Sequence, residues 1–148
     1  MAAQPWILYN TAKKKIGANT IQLDAGAWKM QLHTSASNAS TASLSLGSEI
    51  TGEIATAGGY AAGGKALAGV VWTSAGSPAS VKWDATDLVF TAVGANLSDI
   101  KFAAIRNSTG ATDGHLVCWS RLSASEFSVT TGNTLTVQFA TAGIFVLI

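Results

Sequence analysis

From Ala27 onward the chain breaks into short β-prone runs, each bounded by clusters of Gly, Ser, Asn and Thr, and helical periodicity is nearly absent. The runs are AWKMQLHT (27–34), KALAGVVWT (65–73), ASVKWDA (79–85), DLVFTAV (87–93), DIKFAAIR (99–106), HLVCWSRL (115–122), TLTVQFA (134–140) and IFVLI (144–148). Shorter candidates are TIQL (20–23), SEITGEI (48–54) and FSVTT (127–131). Turn-forming residues stand between them, at Gly76-Ser77-Pro78, Gly94-Ala95-Asn96, Gly110 to Gly114, Gly132-Asn133 and Gly143. No run supplies the crossover helices that parallel strands need, so the strands pair antiparallel. The expectation is an all-β antiparallel sandwich, jelly-roll-like or not, of about eight to ten strands.

One stretch departs from this pattern. In YNTAKKKIG, Asn10 or Thr11 can cap a helix, the lysines fall toward its cation-favouring end, and Gly17 can stop it. One or two helical turns are predicted there. The chain of 148 residues suits one domain, read as 1–148, with residues 1–19 as a candidate arm.

Charged residues are 11% of the chain, against about 25% in an average soluble protein. So sparse a charge suggests that part of the exterior is covered by other subunits. The formal net charge of +1 lacks the basic stripe of a duplex-DNA binder, and no apolar run approaches the ~20 residues of a membrane span. Neither a membrane nor a specific nucleic acid is expected as a partner. The lone Cys118 excludes an internal disulfide, and the order of charge and apolar residues at the N-terminus is the reverse of a signal peptide's. Synthesis in the cytoplasm is the default expectation.

Residues 100–122, IKFAAIRNSTGATDGHLVCWSRL, gather the cysteine, one histidine and both arginines. On a strand, His115 and Cys118 are an odd number of positions apart and point to opposite faces, so they cannot act as a base and its nucleophile. Leu116, Cys118, Ser120 and Leu122 share one face, and His115, Val117, Trp119 and Arg121 the other. Across the hairpin, Ile100, Phe102 and Ala104 alternate with Lys101, Ala103 and Ile105, which leaves both sides largely apolar. One side suits a core and the other a neighbouring subunit.

Two distant histidines and one cysteine have no metal-ligand spacing, and His33 before a polar loop reads as a surface residue. Asp84 and Asp87 are close in sequence and form a candidate carboxylate pair for hydrolysis, but turn capping is the commoner role. GGYAAGGKAL lacks the GxxxxGK[ST] spacing of a phosphate cradle and reads as a loop, like TSASNASTAS. Trp28, Trp72, Trp83 and Trp119 lie within strands and suit core packing. The residues expected to reach a neighbour are Trp6 and Ile7, outside the strands, and the continuously apolar Ile144, Phe145, Val146, Leu147 and Ile148.

WILYNTAKKKIG, IQLDAGAWKMQLHTSASNA, GGYAAGGKALAGVVWT, KWDATDLVFTA, IKFAAIRNS and LVCWSRLSASEFSVTTGNTLTVQFATAGIFVLI together resemble a family of small all-β virion proteins of tailed bacteriophages, from Trp6 to Ile148. The resemblance implies a non-enzymatic structural protein without catalytic residues or cofactor. Its place would be the virion, as a capsid cement or decoration protein at the capsid surface or as a tail component. The expected partners are the major capsid protein and further copies of the chain, as a dimer or trimer. A tail- or fibre-associated module that binds a host surface ligand through TSASNASTAS or GGYAAGG is the alternative.

Overall fold

A computed structural model describes residues 4–75, 80–109 and 114–148. The turns expected at Gly76-Ser77-Pro78 and from Gly110, and residues 1–3 of the candidate arm, lie outside these residues. Among the described residues the chain is all-β, with twelve strands and one short helix. In chain order they are β1 (Ile7–Leu8), α1 (Asn10–Gly17), β2 (Trp28–His33), β3 (Lys65–Ala66), β4 (Val71–Ser74), β5 (Val81–Asp84) and β6 (Leu88–Thr91). There follow β7 (Leu97–Ile100), β8 (Phe102–Asn107), β9 (Leu116–Arg121), β10 (Phe127–Val129), β11 (Thr134–Val137) and β12 (Phe145–Leu147). Every strand pairing is antiparallel. The strands form one five-stranded sheet, β1-β9-β8-β2-β3, one three-stranded sheet, β12-β5-β4, and two ladders, β10-β7 and β11-β6.

Several boundaries differ from the sequence pattern for local reasons. The run 65–73 is two strands because Gly69 turns between them with a φ of 60°, and a Cβ there would meet the Thr86 hydroxyl at 2.5 Å. The run 99–106 also divides. Asp99 adopts a φ of 62°, and the chain passes at Lys101 from the ladder with β10 into the five-stranded sheet. TIQL and SEITGEI are not strands, yet Ile21, Leu23, Ile50 and Ile54 are buried, so their apolar alternation marks anchored loops.

The helix forms where expected but ends otherwise. Its N-cap is Tyr9, without a side-chain cap, and Thr11 instead donates its hydroxyl to the Leu44 carbonyl. At the far end Gly17 is still helical, and Asn19 takes the left-handed position with a φ of 56°. Thr20 N–H donates to the Lys15 carbonyl at 2.8 Å and Asn19 N–H to that of Ile16 at 3.0 Å, the paired bonds of a Schellman stop.

The buried apolar side chains form one cluster. Trp28 and Trp83 meet edge-to-face at 5.0 Å, Trp83 also touches Phe145 at 5.4 Å, and the Trp83 indole donates to the Leu23 carbonyl at 3.1 Å. The five-stranded sheet and the three-stranded sheet are thus joined through aromatic rings. Trp72, on β4, and Trp119, on β9, are only half-buried.

Gly64 turns onto β2 with a φ of 86°, and a Cβ there would lie 2.2 Å from the Met30 carbonyl oxygen, whereas Gly132, with a φ of 90°, has nothing within 4 Å. Replacing Gly132 by Ala therefore adds only backbone strain and is expected to cost about 1 kcal/mol. Gly64→Ala adds a clash with main chain and should cost about 3 kcal/mol or more. Urea unfolding of both variants checks the order, and equal losses would refute the close approach.

Candidate functional site

The seven residues expected to reach a neighbour do not share one fate. Ile144 and Phe145 are buried in the chain's own core, where Phe145 pairs with Trp83 across β5. They are therefore not free to enter another subunit, and the reading of the whole 144–148 run as an interface is corrected. Val146, half-buried, lies opposite Lys82, and Leu147 and Ile148 are exposed.

Trp6 and Ile7 also prove to belong to an ordered edge. Gln4 N–H donates to the Arg121 carbonyl at 2.9 Å, the Ser120 hydroxyl to the Gln4 carbonyl at 2.6 Å, and Tyr9 N–H to the Val117 carbonyl at 3.0 Å. Between these bonds β1 pairs with β9, so residues 4–9 lie along the sheet instead of projecting as an arm. Trp6 is half-buried against Phe139, with ring centroids 5.8 Å apart, while Ile7 remains 45% exposed.

The hairpin of β8 and β9 has two faces set by its register. Phe102 lies opposite Arg121, Ala103 opposite Ser120, Ala104 opposite Trp119 and Ile105 opposite Cys118. Directly opposed residues of an antiparallel pair share a face. Cys118 and Ser120 therefore lie with Ala103, Ile105 and Leu8, and Trp119 and Arg121 with Ala104, Phe102 and Ile7. That much follows the alternation. A register shift after Ile105 leaves Leu116, Val117 and Cys118 all buried, which breaks the alternation expected over 115–117. Burial pushes the Cys118 thiol well above its usual range, so it stays protonated and behaves as a small apolar side chain.

The remaining chemistry-bearing residues are held by their own fold. Asp84 forms an ion pair with Lys82 at 2.9 Å and accepts from Ala85 N–H, while Asp87 accepts from Phe139 N–H at 2.9 Å. These are separate structural attachments, and no bond joins the two carboxylates into one site. Asn38, in TSASNASTAS, staples residues 49–51 by donating to the Glu49 carbonyl and accepting from Thr51 N–H. In GGYAAGG, Tyr60 is buried; its hydroxyl donates to Glu53 Oε1 at 2.6 Å and accepts from Leu32 N–H at 3.1 Å. The same loop borders a shallow pocket of about 230 Å³, lined by Tyr60, Lys65, Phe90, Thr91 and Leu97 among others.

His33 is fully buried, not superficial. It ends β2 opposite Phe102, bridges to Glu53, and its Nδ1 lies 3.2 Å from the Thr51 carbonyl while Nε2 has no partner among the described residues. The alternation of Lys29, Gln31 and His33 against Trp28, Met30 and Leu32 gave no sign of this, because the loop that covers the polar face comes later in the chain. Burial lowers the His33 pKa, opposed by the Thr51 carbonyl and the Glu53 charge. Compared with protein-family models, with curated proteins and with solved structures, the chain gives no match.

The shift of His33 has a definite sign. The unfolded chain takes up a proton at His33 near pH 6.5, whereas the folded state keeps it neutral to lower pH. Below pH 6.5 the unfolded state thus binds more protons, and stability falls until the folded-state pKa is also passed. Urea midpoints between pH 8 and 5 should decline in the native chain and decline less in His33→Gln, since half-buried His115 is shifted in the same direction and remains. Parallel declines would remove His33 as a cause.

Proposed function

We propose that the chain is a non-enzymatic virion structural protein of a tailed bacteriophage, acting as a capsid cement or decoration protein. The observation that carries the reading is the character of the outward surface. Val89, Thr91, Thr134 and Thr136 form an uncharged outer face on the β6–β11 ladder, continued by Val93, which is 63% exposed. Ile7 and Val71 add exposed apolar side chains on other sheets, in a chain with only 11% charged residues. Such surfaces suit burial against neighbouring subunits. The resemblance of the strand and turn pattern to small phage virion proteins supplies the assembly.

The mechanism is linkage. A subunit that binds the closed shell and not its dissociated parts stabilises the shell by mass action, and many copies, as dimers or trimers, act together. The major capsid protein is the proposed partner, at the virion surface after synthesis in the host cytoplasm. The pocket beside GGYAAGG favours a second reading, a tail- or fibre-associated module that takes a host ligand.

Copy number separates these readings. In purified particles the ratio of this chain to the major capsid protein is expected near one to one. A handful of copies per particle favours the tail reading, and absence from particles rejects both. Ile7→Asp should lower occupancy severalfold while shifting the thermal midpoint by no more than a few degrees, because Ile7 faces solvent in the isolated chain.

A further inference from the structure

One open area of the molecule combines apolar anchors with two cations that form no ion pair among the described residues. Ile7 lies opposite Trp119, Phe102 opposite Arg121, and the Phe102 and Trp119 rings meet edge-to-face at 6.1 Å. All four side chains therefore share one face at the β1 side of the five-stranded sheet. Lys101 joins them from the position just before β8, its ammonium 5.7 Å from the centre of the Phe102 ring. Ile7 and Arg121 are exposed, Trp119 and Lys101 half-buried, and Phe102 forms the floor.

The charge on this face is unbalanced. Among the described residues the one ion pair is Lys82 with Asp84, on another sheet, so neither Lys101 nor Arg121 holds a carboxylate within 4.0 Å. Glu126 is the carboxylate whose field reaches Lys101, and it is committed to the Ser35 N–H at 2.6 Å. Trp and Arg beside an aliphatic anchor are also the side chains that dominate binding energy at protein interfaces. Two cations flanking an apolar strip are complementary to carboxylates flanking an apolar side chain.

We propose that the face formed by Ile7, Phe102, Trp119, Arg121 and Lys101 docks an extended acidic segment of a partner protein, whose apolar side chain seats on Ile7 and Trp119 and whose carboxylates meet Arg121 and Lys101. On the capsid reading, on which its location rests, that segment belongs to the major capsid protein. A second copy of the chain is the rival occupant.

The test uses the full chain and two synthetic decapeptides, one alternating Asp and Leu and one alternating Lys and Leu, followed by amide and indole NMR. The acidic peptide should shift the Trp119 indole and the amides of Ile7 and Arg121, and the basic peptide should not. The double replacement Lys101→Glu with Arg121→Glu should weaken the acidic peptide at least tenfold, with the rest of the spectrum preserved. Equal response to both peptides, no response at millimolar peptide, or shifts confined to other surfaces would overturn the proposal. So would concentration-dependent broadening of these same signals without peptide, which would assign the face to a second copy. The double variant is also scored for occupancy on particles. If the acidic peptide binds as expected but the native chain is absent from particles, the capsid reading fails alone and the docking face stands.

Discussion

Strand β8 is buried on both faces, and the rest of the fold is arranged to keep it so. Ala103, Ala104 and Ile105 have no exposed surface, although neighbours in a strand point to opposite sides. On one side they meet the apolar row that includes Leu32 and Cys118, and on the other they lie between Gln31 and Trp119. A sheet covered on both faces needs a second layer, and here residues 44–64 provide much of it without forming a regular strand. Gly47 and Gly63 abut the Arg106 side chain and Gly64 that of Gln31, each so closely that a Cβ would crowd its neighbour. Glycine at 64 is therefore required by its close approach to the main chain of β2.

This requirement explains why the glycine-rich and serine-rich stretches are not free loops. A covering segment without ladder partners must satisfy its backbone by other means. Glu49 accepts from the N–H groups of Ser45 and Leu46, Glu53 from Gly63 N–H and the Tyr60 hydroxyl, and Asn38 bonds to both sides of 49–51. Bonds from exposed backbone N–H groups hold the Glu49 carboxyl below its usual range. The segment is stapled through its polar side chains, and these bonds are local in sequence or reach β2.

The all-β class was legible from turn spacing, and most strands from period-two apolar runs, because both signals are local. Trp28 and Trp83 read as core for the same reason. What failed was set by contacts distant in sequence. His33 reads as exposed until residues 51–53 lie over it, and Ile7–Leu8 has no strand signal until β9 offers an edge. The 144–148 run is apolar throughout, yet only Ile144 and Phe145 enter the core, and exposure rises along β12 from half-buried Val146 to exposed Leu147 and Ile148. Of the candidate interface, Ile7 is legible as an exposed apolar residue. Its partners Trp119 and Arg121 required the register of a strand more than a hundred residues away.

Five of the eight carboxylates, Glu49, Glu53, Asp84, Asp87 and Glu126, accept hydrogen bonds from the chain's own amides or hydroxyl groups. The cations are used differently. Lys15 and Lys65 donate to a serine and a carbonyl, and among the described residues Lys82 pairs with Asp84 while Lys13, Lys14, Lys101 and Arg121 hold no carboxylate. With so few charges overall, each uncommitted cation carries more of the surface's selectivity than it would on an average protein. Lys101 and Arg121 differ from Lys13 and Lys14 in standing beside aromatic rings on a fixed sheet, where less side-chain entropy is lost when a carboxylate arrives.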